Sequence, residues 1–338
     1  MLRGTEGPSK FAPAGGDCWI NPHPLVRFPH PTERSHLTPT LTGLLNSSKS
    51  HLSRYMAETF PNHLPMRQRI RAAAGDIRQT PGTGRDGSGL GSAFDVMADV
   101  VVDPEPYSVS NSSMMWTKNH AALAHFASTQ ANASVANRAA DADFYRSVWV
   151  LGMLVSSIRS MQSYMSSPLT EVLRRGSDLD GVLDALGDDL IPAAGISELR
   201  MLDEIATIEL YPHLKAPAHF QPWLGTDYVQ AQGDVIAGGV LLDLKADRGT
   251  ANSVGRFSYL PPTKTIYQLV CYGLLSTEHI EQYGDVASLG IYAARYGSLT
   301  TWPLQGLLDE LAGKPMDAGA ELQMVRALIM QEEYDPTS

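Results

Sequence analysis

The chain has 338 residues, of which 43% are hydrophobic, so it is long enough to bury one large core or two ordinary ones. Its formal net charge of -10 argues against a protein that coats nucleic acid through bulk positive charge, although the first 90 residues are mildly basic. Two cysteines, Cys18 and Cys271, are too few for a disulfide framework, a four-cysteine zinc site or a four-cysteine iron–sulfur cluster.

The N-terminal part of the sequence changes from irregular to helical. Residues 1–45 are rich in Pro, His, Thr and Ser and keep no sustained period, which predicts an irregular arm. From Ser47 to Arg78 the apolar spacing predicts helix. This stretch holds a basic run at Arg67, Arg69 and Arg71, which is either a solvated face or a phosphate contact.

A glycine-rich segment follows at residues 80–91. Gly82, Gly84 and Gly87 match the spacing of a dinucleotide-binding fingerprint, but no strand precedes them. We therefore predict a plain loop, followed by a short helix from Ser92 to Val101.

The middle of the chain is predicted to be helical. Good helix formers dominate Ala121–Ala140 and Asp143–Arg175, and a further helix from Glu198 to Tyr211 is stopped by Pro212. The most apolar stretch, Val148–Val155, falls far short of the roughly 18–20 residues that cross a membrane. Because the N-terminus also lacks the apolar run of a signal peptide, the sequence predicts a soluble cytoplasmic protein without a membrane partner.

The hydrophobic period then changes to that of strands. Two strands, Val229–Ala237 and Val240–Lys245, flank Gly238-Gly239, which is typical of a two-residue hairpin. The later predicted elements are a helix at Lys264–Ser276, strands at Val286–Ala294 and Ser298–Pro303, and helices at Leu304–Leu311 and Met316–Glu333. Helices first and mixed elements afterwards predict an α/β (α+β) fold with a large helical insertion.

The candidate catalytic and metal-binding side chains lie on the hairpin. Counting outward from Gly238-Gly239 places Asp234 opposite Asp243, and the period-2 alternation puts Lys245 on the same face. The two neighbouring leucines point to the opposite face, towards a core.

Two opposed carboxylates need an offsetting charge. At about 5 Å and an effective dielectric near 20 they repel by roughly 3 kcal/mol. A divalent cation bridging Asp234 and Asp243 removes that cost, and hard oxygen ligands favour Mg²⁺ or Mn²⁺ over zinc. Lys245 could then orient a water or stabilise charge on a phosphoryl group. The structural alternative is a salt bridge of Lys245 with either aspartate.

The helix after the hairpin supplies two more polar groups. Gln268 and Tyr272 lie one turn apart, on a face that adjoins the apolar stripe of the helix. Both can hydrogen-bond to phosphate or to the water shell of a metal ion.

The order of these segments resembles the PD-(D/E)XK nuclease superfamily, RecB-like branch. The resemblance is carried by Gly233–Ile236, then Leu241–Lys245, then Gln268–Tyr272, with comparable gaps. The segment Gly290–Gly297 followed by Thr301–Leu304 is similar to the later strand pair of such proteins. About 80 residues take part.

The resemblance implies a restriction-endonuclease-like core with a mixed central sheet flanked by helices. On this basis we divide the chain into a basic N-terminal region at 1–87, a nuclease-like core at 88–312 and a C-terminal helix and tail at 313–338. The helical insertion within the core spans about 114–215.

The resemblance also implies a function. It predicts a Mg²⁺- or Mn²⁺-dependent nuclease that hydrolyses phosphodiester bonds, with DNA favoured over RNA and a role in phage defence or DNA repair. Asp234 and Asp243 would be metal ligands, and Lys245, Gln268 and Tyr272 would complete the catalytic set. No iron–sulfur cluster is expected. Whether a partner ATPase or helicase supplies the substrate is left open.

One further residue comes from the resemblance. Asp95 occupies the place where the RecB-like branch often carries a His ahead of the helical insertion. It would be a third metal ligand or an orienting residue. The alternative is a capping or dipole-compensating residue in the first turn of a helix.

Two other functions compete with the nuclease. One is a catalytically silent, nuclease-like subunit that binds nucleic acid or a protein partner through the helices of 114–175. The other is a hydrolase with the histidines His23, His30 and His36 as metal ligands. These lack the i, i+4 spacing of a helical zinc motif, so a loop explains them better.

Overall fold

The computed structural model describes residues 38–78, 87–103, 105–107, 117–158, 165, 167–176, 178–186, 190–214, 217–253 and 255–334. These ranges form an α+β fold with a five-stranded mixed sheet and a small two-stranded sheet. No helix within them is long and apolar enough to cross a membrane. The α+β prediction is confirmed at this level.

The strands of both sheets come from the second half of the sequence. They are β1 (Ala218–Phe220), β2 (Val235–Ala237), β3 (Val240–Lys245), β4 (Thr250–Ala251), β5 (Phe257–Ser258), β6 (Ser288–Ala293) and β7 (Ser298–Pro303). The large sheet has the order β1-β2-β3-β6-β7, and β4 pairs with β5 in the small one. Only β3 and β6 run parallel among the paired strands, so the chain must cross over between them, as parallel pairs require.

The helices precede and surround this sheet. The described helices are α1 (Leu41–Asn46), α2 (His51–Thr59), α3 (His63–Ala74), α4 (Gly87–Val102), α5 (Lys118–Ser134), α6 (Ala142–Ile158), α7 (Pro168–Arg175), α8 (Leu179–Ala185), α9 (Ala193–Glu209), α10 (Thr263–Ser276), α11 (Ile280–Tyr283), α12 (Leu304–Ala312) and α13 (Ala318–Tyr334). The crossover between β3 and β6 includes α10 and α11.

The predicted hairpin turn is confirmed. Gly238 and Gly239 have φ of 57° and 77°, the left-handed conformation that a two-residue hairpin turn with both φ positive requires and that glycine adopts without strain. The register pairs Ala237 with Val240 and Val235 with Leu242, as counted from the sequence. The ladder ends there, one pair before Asp234 and Asp243.

Alternation along β3 separates two hydrophobic cores. Leu242 and Leu244 belong to a core built with α4 to α9, whereas Leu241 belongs to a core built with α1 to α3, α10, α12 and α13. Asp243, which shares the face of Leu241, therefore lies towards α10. Burial on both faces explains why β3 reads as a nearly continuous apolar run.

Contacts from distant parts of the sequence close the second core. The Ser50 hydroxyl, at the N-cap of α2, donates to Glu332 Oε1 of α13 at 2.7 Å. The Tyr55 hydroxyl donates to Glu321 Oε2, also of α13, at 2.6 Å. These two hydrogen bonds attach α2 to α13, the last helix in the described part of the chain.

Several predicted bounds are wrong. The first strand of the hairpin is much shorter than Val229–Ala237, because residues 229–234 form only isolated bridges. Pro212 does not simply stop a helix, since α9 ends at Glu209 and a 3₁₀ turn spans Tyr211–His213.

The helical predictions also need correction. The stretch predicted as Ala121–Ala140 is α-helical only to Ser134 and continues as a 3₁₀ helix. The arm predicted for residues 1–45 includes α1 from Leu41, while residues 1–37 lie outside the described part. The glycine-rich segment is not a loop throughout, because α4 begins at Gly87, and residues 80–86 lie outside the described part.

Candidate active site

The two predicted acids lie side by side at the end of the hairpin. Asp243, on β3, is only 3% exposed. Asp234 directly precedes β2 and is half-buried, and its Oδ2 accepts a hydrogen bond from the backbone N–H of Leu244 at 2.6 Å. This bond holds the Asp234 carboxylate against β3, next to Asp243. The predicted juxtaposition is therefore present.

Lys245 completes the pair. Its Nζ donates to Asp243 Oδ1 at 2.5 Å, and its side chain is 26% exposed. The ammonium group of Lys245 is thus bound to the buried carboxylate of Asp243 and is itself partly exposed to solvent. Asp243 Oδ2, in contrast, is buried and has no hydrogen-bond donor among the described residues.

The electrostatics of the pair follow from this burial. Burial raises the pKa of Asp243 to about 7, against the opposing charge of Lys245, and the Asp234 carboxylate adds to the rise. For Lys245, burial acts to lower the pKa, but the charges of Asp243, Asp234 and Asp95 outweigh it and the net pKa is raised. The lysine therefore stays an ammonium, while Asp243 changes between its acid and anion near neutral pH.

The predicted ligand Asp95 lies on α4, close enough for its charge to act on Lys245. The helix is anchored against the sheet by Phe94, whose ring stacks on Tyr292 of β6 with centroids 6.1 Å apart. Asp95 is buried, at 9% exposure. Within the described ranges, however, no three His, Cys, Asp or Glu side chains are grouped as a metal site. Its role as a third ligand stays a prediction.

The polar pair on α10 borders the same site. Gln268 Nε2 donates to the Tyr272 hydroxyl at 2.7 Å and also lies 3.1 Å from Thr42 Oγ1. Burial raises the pKa of Tyr272 to about 12, against the Gln268 hydrogen bond, and the Asp234 and Asp243 carboxylates contribute to the rise. The charges of Asp234 and Asp243 therefore act on the Tyr272 hydroxyl. Gln268, one helical turn away, holds this hydroxyl by its hydrogen bond.

A buried phenol, Tyr259, was missed by the sequence reasoning. Its hydroxyl has no hydrogen-bond partner in the described part of the chain. Burial raises its pKa well above the ordinary tyrosine value, and the charges of Asp247 and Asp243 add to this. A lone Tyr after a hairpin has no periodic signal that could have singled it out.

A buried ion pair also supports the end of β3. Arg295, in the turn after β6, donates from Nε to the carbonyl of Ala246 at 2.8 Å and pairs with Glu198 of α9 at 2.7 Å. Ala246 follows Lys245 directly, so this pair fixes the backbone beside the ammonium. The sequence offered Arg295 only as part of the later strand segment.

A second acid on α4 was missed as well. Asp99 lies one turn beyond Asp95, and burial raises its pKa to about 7, with a further rise from the charge of Asp103. Its burial could not be inferred from helical spacing alone.

The donor set fits a divalent cation. The orphaned Asp243 Oδ2 and the adjoining Asp234 carboxylate present hard oxygen atoms to each other. A cation bound there would satisfy the buried Asp243 oxygen and would offset the burial and the Asp234 charge that together raise the Asp243 pKa.

Comparison of this chain with family models, with curated proteins and with solved structures found no significant match. The described part of the chain has an α+β fold with a mixed five-stranded sheet. The resemblance to PD-(D/E)XK nucleases stays a prediction from the sequence.

Proposed function

We propose that this chain is a metal-dependent nuclease that hydrolyses phosphodiester bonds, with DNA as the favoured substrate. The observation that supports the proposal is the buried Asp243, whose Oδ2 is unpartnered beside Asp234 while its Oδ1 accepts from the Lys245 ammonium at 2.5 Å. The site differs from a simple salt bridge because a second carboxylate, that of Asp234, lies next to Asp243 and interacts with it.

Asp234 and Asp243 would hold Mg²⁺ or Mn²⁺. When bound, such an ion polarises a phosphoryl oxygen and lowers the pKa of a coordinated water. The Asp234–Leu244 hydrogen bond fixes one carboxylate against the strand, so both acids are preorganised before any ion arrives.

Lys245 acts from the solvent side of the acids. An ammonium has three donors, and one of them is taken by Asp243 Oδ1. The remaining donors can orient an attacking water or stabilise the negative charge that develops on the phosphate. The raised pKa keeps this group charged throughout the neutral range.

The Tyr272 hydroxyl, held by Gln268, provides a further donor at the border of the site. Because its pKa is raised to about 12, it stays a neutral phenol and serves as a hydrogen-bond donor rather than as a base.

Cleavage of linear and plasmid DNA with Mg²⁺ or Mn²⁺ tests the proposal. We expect Asp243→Asn and Lys245→Met each to lower the cleavage rate by at least about 100-fold, because each removes a charge from the reacting centre. The matched controls Asp285→Asn and Lys314→Met change exposed residues distant in sequence from the acids and should cleave like the wild type.

Circular dichroism of each variant separates loss of chemistry from loss of fold. Unchanged cleavage in folded Asp243→Asn and Lys245→Met would overturn the proposal. So would a wild-type protein that shows neither cleavage nor a metal-dependent rise in melting temperature, which is the behaviour of the silent binding or assembly subunit.

A further inference from the structure

A groove lies between α3 and the small β4–β5 sheet. It is an open depression with a volume of about 410 Å³, and its polar and charged lining side chains are those of Gln68, Arg71, Asp76, Asn252, Arg256 and Ser258. The sheet segment begins a few residues after Lys245, so the groove is connected to the acids by a short piece of chain.

The three arginines of α3, Arg67, Arg69 and Arg71, have two different roles: two of them attach the helix to the rest of the fold, and the third lines the groove. Arg67 donates to the carbonyl of Pro261 at 2.6 Å, and Arg69 forms an ion pair with Glu310 of α12. Both side chains are thus used to attach α3 to the rest of the fold. Arg71 is exposed, lines the groove and forms no ion pair with any described residue.

The opposite wall adds positive charge. Arg256 is exposed and, among the described residues, has no carboxylate partner. The guanidinium of Arg248 lies over the ring of Phe257, 5.7 Å from its centroid, which holds a third positive charge beside the groove. Asp76 is the single carboxylate among the lining residues. In a chain with a net charge of -10, such a local excess of guanidinium groups stands out.

We propose that this groove binds the phosphate backbone of a nucleic acid, with Arg71 and Arg256 as direct phosphate contacts. The inference is tied to the proposed nuclease function, for which it names a substrate-binding surface. Guanidinium groups that contact only phosphates bind nucleic acid independently of its base sequence. Each such contact releases counterions from the nucleic acid. Binding should therefore be insensitive to base sequence and strongly dependent on salt.

The test measures binding without cleavage. Fluorescence anisotropy of labelled single-stranded and double-stranded 30-mers is recorded with the full chain in EDTA over a range of NaCl concentrations. We expect the double variant Arg71→Gln, Arg256→Gln to bind about tenfold or more weakly at low salt. Its slope of log K against log salt should be shallower by about 1.8 for duplex or about 1.4 for single strands, as two lost phosphate contacts require.

The matched control is Lys118→Gln, Arg146→Gln, which removes the same charge from exposed positions on α5 and α6. It should keep the wild-type slope. A groove variant with wild-type affinity and slope, or a wild-type chain that binds neither oligonucleotide, overturns the inference.

The outcome is separable from that of the proposed function. If binding depends on Arg71 and Arg256 but no DNA is cleaved with any divalent ion, the groove stands and the nuclease proposal fails. If DNA is cleaved but the groove variant binds and cleaves like the wild type, the nuclease proposal stands and the groove fails.

Discussion

The stabilisation of this protein by a divalent cation should depend on pH through Asp243. Its pKa of about 7 means that the carboxyl holds a proton in about nine of ten molecules at pH 6 and in about one of ten at pH 8. A cation at the acids must displace that proton. Its apparent affinity should therefore be about tenfold weaker at pH 6 than at pH 8.

The size of the effect follows from mass action. A cation at 100 times its dissociation constant at pH 8 stabilises the fold by about 2.7 kcal/mol, and the tenfold weaker binding at pH 6 leaves about 1.4 kcal/mol. At about 2 °C per kcal/mol for a chain of this size, the expected rises in melting temperature are about 5 °C at pH 8 and about 3 °C at pH 6.

The sign of the pH baseline has to be considered separately. A carboxyl whose folded-state pKa lies above its unfolded-state value destabilises the metal-free protein as pH rises from the unfolded value of about 4 towards about 7. Each melting temperature with Mg²⁺ or Mn²⁺ is therefore compared with the same pH in EDTA, by differential scanning fluorimetry.

Two variants complete this experiment. Asp243→Asn should lose most of the metal-dependent rise at both pH values, whereas Asp285→Asn should keep it. Equal rises at pH 6 and pH 8 in the wild type would refute the link between the Asp243 proton and the cation. A full rise in Asp243→Asn would refute the assignment of the ligand.

Two further predictions concern the framework that holds the site. Gly239→Ala forces a non-glycine residue to φ of 77°, so the free energy of unfolding measured in urea should fall by about 1–2 kcal/mol. The control Gly306→Ala, on the exposed face of α12, should be neutral or raise the free energy of unfolding by up to about 1 kcal/mol. Equal stabilities of the two variants would contradict the turn assignment. Arg295→Met leaves Glu198 buried without its guanidinium and should cost about 3–5 kcal/mol in the same assay, and a loss below about 1 kcal/mol would show that the pair is not coupled to the fold.

Local signals in the sequence were sufficient to predict the hairpin turn and its register. Gly238-Gly239 fixes the turn, and the turn fixes the register, so the positions of Asp243 and Lys245 follow from counting. The helix α10 and the strand β7 were likewise predictable, because each has a strong period and clear end signals.

The rest depended on contacts between distant segments. Tyr259 becomes relevant only because it packs near Asp243, and Arg295 because Glu198 meets it from α9. The start of α4 at Gly87 opposes the low helix propensity of glycine, so tertiary packing of the following apolar residues decides it. A single sequence without its fold contains no signal for these contacts.

The attachment of α2 to α13 has a consequence for how the molecule assembles. The Ser50–Glu332 hydrogen bond joins residues 282 positions apart, which gives this half of the protein a high contact order. During synthesis, α1 to α3 would be made long before the helix that covers them. Their apolar faces would stay uncovered until α13 has been synthesised, and only then could the layer behind β3 become fully packed.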